Sequence, residues 1–204
     1  METKNDAYME LASQKKVHPF RLERDMVLID DIANSLAMQP RFNGHLPKFY
    51  SVADHSIYVM RQAKKFLEHE NFPDYLKHKI LIRALLHDAA EAFISDIPSP
   101  VKRFMTCVKE IEDEILRKLY HFYDADIYNT YWIQASNKII KDSDIMVLLG
   151  EKYDLTNSRT RWDYYEDSYD RCSFTIYPSY SWRTSKREFL CVFHQLTDWR
   201  YHGK

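Results

Sequence analysis

The chain has 204 residues, 45% of them hydrophobic, with a formal net charge of -1. That composition excludes a disordered chain, and the balanced charge offers no basic field for long nucleic acids or acidic membranes. Three cysteines without a CxxC pair argue against a disulfide framework, and three glycines without GxGxxG or a Walker loop argue against glycine-cradled nucleotide folds.

From the N-terminus, "METKNDAYMELASQKKV" has no apolar signal core, and no later run is long enough to span a bilayer. A reducing cytoplasm is the expected location. Residues 1–25 read as an N-terminal arm or a short first helix over "AYMELASQ". "IDDIANSLAMQ" predicts a short amphipathic helix, and "PRFNGHLPKFYS" a loop. Ser51 reads as an N-cap with Asp54 completing a capping box. The helix it opens places Val52, His55, Val59 and Ala63 on one face. "YLKHKILIRALLHDAAEAF" predicts a third, strongly apolar helix that ends before "SDIPSP". Val108, Ile111, Ile115, Leu119 and Phe122 form a core stripe at helical spacing. A further helix runs from about Ile133 to Leu155 and turns Asp144 inward. Residues 156–184 are rich in Tyr, Ser and Asp and read as irregular, with room for one short helix. "KREFLCVFHQLTDW" predicts a closing helix. Scarce glycine and these periodicities give an all-α fold class, with residues 1–204 as a single domain.

His55, His87, Asp88 and Asp144 stand apart because each lies in or beside an apolar helical stripe. An unpaired buried charge costs several kcal/mol, on the order of an ion's desolvation penalty. A divalent metal ion compensates all four at once. Two imidazoles and two carboxylates suit Mn, Fe, Co, Ni or Zn, with positions left open for water and phosphate oxygens. Glu91, three residues past Asp88, is placed to orient or deprotonate an attacking water, or to protonate a leaving group. Asp96 fits a second acid or an acceptor for a sugar hydroxyl. The plain alternatives are a surface helix residue for Glu91 and a helix-terminal cap for Asp96. His18, His69, His78, His121, His194 and His202 read as structural.

The order His…His-Asp…Asp resembles the signature of the HD-domain metal-dependent phosphohydrolases. "RFNGHLPKFYSVADHS", "LLHDAAEAFISDIPSPVK" and "KDSDIMVLLGEKYDL" are similar to three successive blocks of a bacterial and phage group within that family. That group is related to the 5′-deoxynucleotidases and to phage dATP and dNTP triphosphohydrolases. The resemblance spans roughly Ile29 to Leu196. It implies an HD-domain helical bundle and hydrolysis of a deoxynucleotide phosphate. It also implies that His55, His87, Asp88 and Asp144 hold a divalent metal (Mn, Co, Zn, Mg, Fe or Ni), with Glu91 catalytic and Asp96 supporting. Asp142 is a rival fourth ligand, but the family spacing to Glu151 and Asp154 favours Asp144. A homo-oligomer is expected on the same ground. Gly150 departs from the family pattern, which has a helix former there.

Substrate contacts are inferred from residue type. Arg41 is expected to clamp a phosphate, or else to be a surface ion-pair residue. Lys102 is a second phosphate candidate. Phe42 and Tyr50 offer stacking surfaces for a base, and Pro98 or Pro100 a wall against a 2′-hydroxyl. The leading expectation is a dNTP triphosphohydrolase preferring dATP. The alternatives are a 5′-deoxynucleotidase acting on dNMPs, a non-catalytic nucleotide-binding regulatory module, and a phosphodiesterase. The expected partner is a small deoxynucleotide, with no long nucleic acid and no membrane.

Overall fold

The computed structural model describes residues 7–198. The outermost part of the expected arm, Trp199 of the closing helix and His202 lie outside the described residues. The chain folds into the all-α bundle that the HD resemblance implies. No helix among the described residues is long and apolar enough to cross a membrane.

The first described element is not a helix. Strands β1 (Met9–Glu10) and β2 (Lys16–Val17) pair antiparallel. The expected helix over "AYMELASQ" is therefore corrected to a hairpin. Its turn includes Gln14 at φ 66°, a left-handed conformation that no helix accommodates. Ser13 anchors the turn by donating from its backbone N and Oγ to Asp31, at 2.8 and 2.7 Å.

Helix α1 (Ile29–Met38) buries Ile32, Ala33, Leu36 and Ala37, a stripe at steps of three and four. A tight loop at Arg41–Gly44 follows, with Phe42 and Asn43 in the left-handed region at φ 53° and 52°. The centre of the bundle is α2 (Val52–Glu68), which packs against α1 and three later helices. Its first six residues, Val52 to Ile57, are all buried. Ala53, Ser56 and Ala63 are small enough for neighbours to approach on several sides. Ser51 and Asp54 form the expected capping box. Asp54 also accepts from Ser185 Oγ at 3.0 Å and from Ser179 Oγ, so this cap ties the start of α2 to the C-terminal part of the chain.

Helix α3 (Asp74–Leu85) stops earlier than the sequence predicts. Residues 86–90 are turns, and α4 covers only Glu91–Ile94. The amides of Ala89, Glu91, Ala92 and Phe93 bond three residues back, to Leu86, Asp88, Ala89 and Ala90. The single long helix is thus corrected to a helix that tightens into 3-10-type turns, a form common where a helix serves a site. Periodicity cannot separate the two, because both keep Leu85, Leu86, Ala89 and Ala90 buried.

Helices α5 (Ser99–Lys102) and α6 (Thr106–Phe122) come next. The long α7 (Thr130–Leu155) lies along α2, and α8 (Asp163–Glu166) is the one short helix allowed for in the irregular stretch. Helix α9 (Trp182–Asp198) closes the bundle on α1, α2 and α3 with Ser185, Phe189 and Phe193. Gly150, the departure from the family pattern, has a local cause. A Cβ there would meet Cys172 Sγ at 2.5 Å and Ile176 Cδ1 at 2.9 Å, so a side chain would push residues 172–176 off α7.

Candidate active site

Three elements meet at one point. His55 comes from the first turns of α2, His87 and Asp88 from the turns after α3, and Asp144 from the middle of α7. One ligand-type atom each from His55, His87 and Asp144 lies within 4.8 Å of the others. Asp88 stands outside that three-atom cluster but approaches both imidazoles, with Oδ2 3.2 Å from His87 Nε2 and 3.7 Å from His55 Nε2. The rings are 5.2 Å apart.

Each histidine is held through its far nitrogen. His55 Nδ1 meets Glu151 Oε1 at 2.6 Å, and His87 Nδ1 meets the Ala84 carbonyl at 2.9 Å. An ionised carboxylate and a carbonyl only accept, so both Nδ1 atoms carry hydrogen and both Nε2 atoms face the cluster. His55 Nε2 is 3.1 Å from Asp144 Oδ1. Yet both Nε2 atoms are buried without an aligned hydrogen-bond partner.

Glu151 is fully buried beneath this cluster. It accepts from Tyr50 Oη at 2.9 Å and from Arg41 Nη2 at 3.3 Å in addition to His55. Burial alone would raise its carboxyl. Arg41, His55 and Tyr50 outweigh burial and hold it below the usual range. Burial and Arg41 likewise oppose charge on His55, but Glu151 and Asp144 overcome them and raise it to about 9. Against burial, His87, His55 and Arg41 hold Asp88 far down, and His55 and His87 hold Asp144 below its ordinary value. The site therefore holds its carboxylates ionised and its imidazoles between them.

A family model described as 5′-deoxynucleotidase YfbR-like matches residues 46–151, the stretch carrying His55, His87, Asp88, Glu91 and Asp144. The chain belongs to the YfbR-like 5′-deoxynucleotidase family. The uncharacterized protein YfdR of Escherichia coli (strain K12) is 31% identical over 150 residues, which is 73% of this chain and 72% of that protein. As a YfbR-like HD protein, the chain is a metal-dependent nucleotide phosphohydrolase. The residues present fit a divalent ion. The two orphaned Nε2 atoms are ligands lacking a partner, and the carboxylates beside them supply the negative charge a cation needs.

Around the YfbR-like cluster, Glu91 is buried, with Oε2 unpartnered and Oε1 3.9 Å from Lys102 Nζ. Burial, then Asp88 and Asp96, push its carboxyl up to about 10 against Arg41 and Lys102. It is a neutral acid at physiological pH, not a surface residue. Asp96 is half-buried, and its backbone N donates to Gln39 Oε1 at 2.9 Å. Gln39 Nε2 donates to the Glu91 carbonyl at 3.0 Å, so Gln39 ties both acids to the end of α1. Arg41 points into the cluster, with Nη1 3.6 Å from Asp88.

Other expected contacts are placed differently. Tyr50 is buried with its hydroxyl on Glu151, so its expected role as a stacking surface is corrected to one of support. Lys102 pairs with Glu112 at 2.6 Å. Phe42 is half-buried at φ 53°, its ring 6.3 Å from that of Trp162. Pro98 and Pro100 stay exposed at α5 rather than packed as a wall. Asp142, the rival ligand, bonds Lys138 and Tyr169 instead. Glu112 was not anticipated. A glutamate beside Ile111 on an amphipathic helix carries no signal separating it from a solvated residue.

Proposed function

We propose that this chain removes the 5′-phosphate from deoxynucleoside monophosphates, with His55, His87, Asp88 and Asp144 holding one divalent ion. The observation that carries this reading is the pair of buried, unpartnered histidine nitrogens facing carboxylates inside the family-matched stretch. The ion supplies Lewis acidity to a phosphoryl oxygen and to water. Arg41 donates to the non-bridging phosphate oxygens. Water adds to phosphorus as the bond to the nucleoside 5′-oxygen breaks, one of its protons remaining on the released phosphate and the other restoring Glu91. Glu91, held neutral, gives its proton to that departing oxygen. Asp96 accepts from a sugar hydroxyl, Lys102 adds positive charge beside Glu91, and Phe42 covers the sugar. Action in the cytoplasm as a homo-oligomer belongs to the same proposal, and sedimentation equilibrium reads the assembly.

A second reading, a dNTP triphosphohydrolase preferring dATP, is favoured by one observation. A groove of about 880 Å³ opens beside His87 and Asp144 between α3, α6 and α7, with room for a longer phosphate chain. The deciding experiment incubates the protein with each dNMP, NMP and dNTP and with Mn, Co, Mg or Zn, and resolves products by ion exchange. Nucleoside plus orthophosphate from dNMPs is the expected outcome. Triphosphate released from dATP, with dNMPs untouched, would replace the first reading by the second. No turnover of any nucleotide, with metal and nucleotide bound, would leave a binding module.

A further inference from the structure

The same groove contains a cation for which no direct ion pair is formed among the described residues. Arg83 lies one helical turn before His87 and is half-buried. Its Nη2 donates to the Asn137 side-chain oxygen at 3.2 Å, and its guanidinium sits 4.3 Å over the Tyr120 ring. Both partners are neutral. Its Nε is buried with no hydrogen-bond partner. Asp126, which also lines the groove, is already engaged by His121 at 2.8 Å and by Tyr128 at 3.3 Å. A guanidinium withdrawn from water needs an anion, and its planar fork matches the oxygens of phosphate as it does those of a carboxylate. Arg117, Lys141 and Asp113 line the same groove.

We propose that this groove is a phosphate subsite centred on Arg83, for phosphoryl anions beyond the one that reacts at the metal cluster. The subsite rests on the proposed function only in taking the cluster as the place of the reacting phosphate. His87 and Asp144 line the same groove as Arg83, so an anion at Arg83 shares that space with the metal cluster. Two sources share this chemistry: the further phosphates of a triphosphate, as in the second reading, and a separate orthophosphate ion, such as the product of a monophosphate.

The test is equilibrium dialysis of the Mn-loaded protein, with Mn in constant excess, against orthophosphate and against linear tripolyphosphate. A chain that spans cluster and groove is expected to bind roughly tenfold or more tighter than orthophosphate, and Arg83→Gln to remove most of that ratio. A separate ion is expected to show as a second equivalent of orthophosphate per chain, lost in Arg83→Gln. The same ratio and stoichiometry in wild type and variant would overturn the proposal. Should Arg83→Gln fail to fold, the exposed pair Arg117→Gln and Lys141→Gln carries the same comparison, with the same two outcomes. Binding is read without turnover, so failure of the catalytic reading leaves this result standing or falling by itself.

Discussion

Three donors converge on Glu151, a carboxylate with no exposed surface. Removing its charge leaves Arg41 and His55 without their common counter-charge, and a lost supporting carboxylate typically weakens metal binding by about 10–100-fold. Glu151→Gln is therefore expected to lower Mn affinity by about that factor in calorimetric titration while His87 and Asp144 remain in place. Glu91 yields a pH signature. Its folded carboxyl titrates near about 10 against an ordinary value of 4.5. Between those limits the folded chain keeps a proton that the unfolded chain releases, so stability falls as pH rises through that window. At neutral pH the cost is about 3 kcal/mol, which Glu91→Gln is expected to recover. Urea melts from acid to neutral pH with a chelator present check it, and a parallel slope in both proteins would contradict it. At this scale the ligand-type residues were legible, because charge inside an apolar helical pattern is conspicuous. Tyr50 was not, since an aromatic residue in a loop reads equally as a stacking surface or a support.

At the scale of elements, the close approach of residues 172–176 to α7 sits beside the site. Asp154, one turn past Gly150, accepts from the Ile176 backbone N at 2.8 Å and from Arg171 at 3.1 Å. Gly150→Ala forces a methyl into Cys172 and Ile176, and overpacking of this kind costs about 1–3 kcal/mol. The urea midpoint is expected to fall accordingly, and a second change, Cys172→Ala, to restore part of it. Unchanged stability in Gly150→Ala would mean that the 172–176 segment yields freely. The long helices were legible because ten or more residues give a period time to show itself. The hairpin at Met9–Val17 was not, since strands of two residues carry no alternation. The break after Leu85 was hidden because tight turns bury the same apolar positions as a continuing helix.

For the molecule as a whole, the cluster joins three elements, α2, the turns after α3 and α7, and an ion bound there would tie them into one folded unit. A ligand that binds only the folded chain adds about 2.7 kcal/mol at a hundred times its Kd. Mn or Co is expected to raise the melting temperature by several degrees, a chelator to reverse the rise, and His55→Ala to abolish it. Equal shifts in wild type and His55→Ala would place the ion elsewhere. The all-α class was readable from composition and period. The way α2 is enclosed by helices drawn from both ends of the chain was not, because nothing local encodes which stripe meets which.

The bond from Glu151 to His55 joins positions 96 residues apart. A ribosome that has delivered α1 to α6 has therefore made both histidines but not the carboxylate that aims one of them. Asp144 and Glu151 both lie on α7, so the cluster can close only after that helix has left the ribosome.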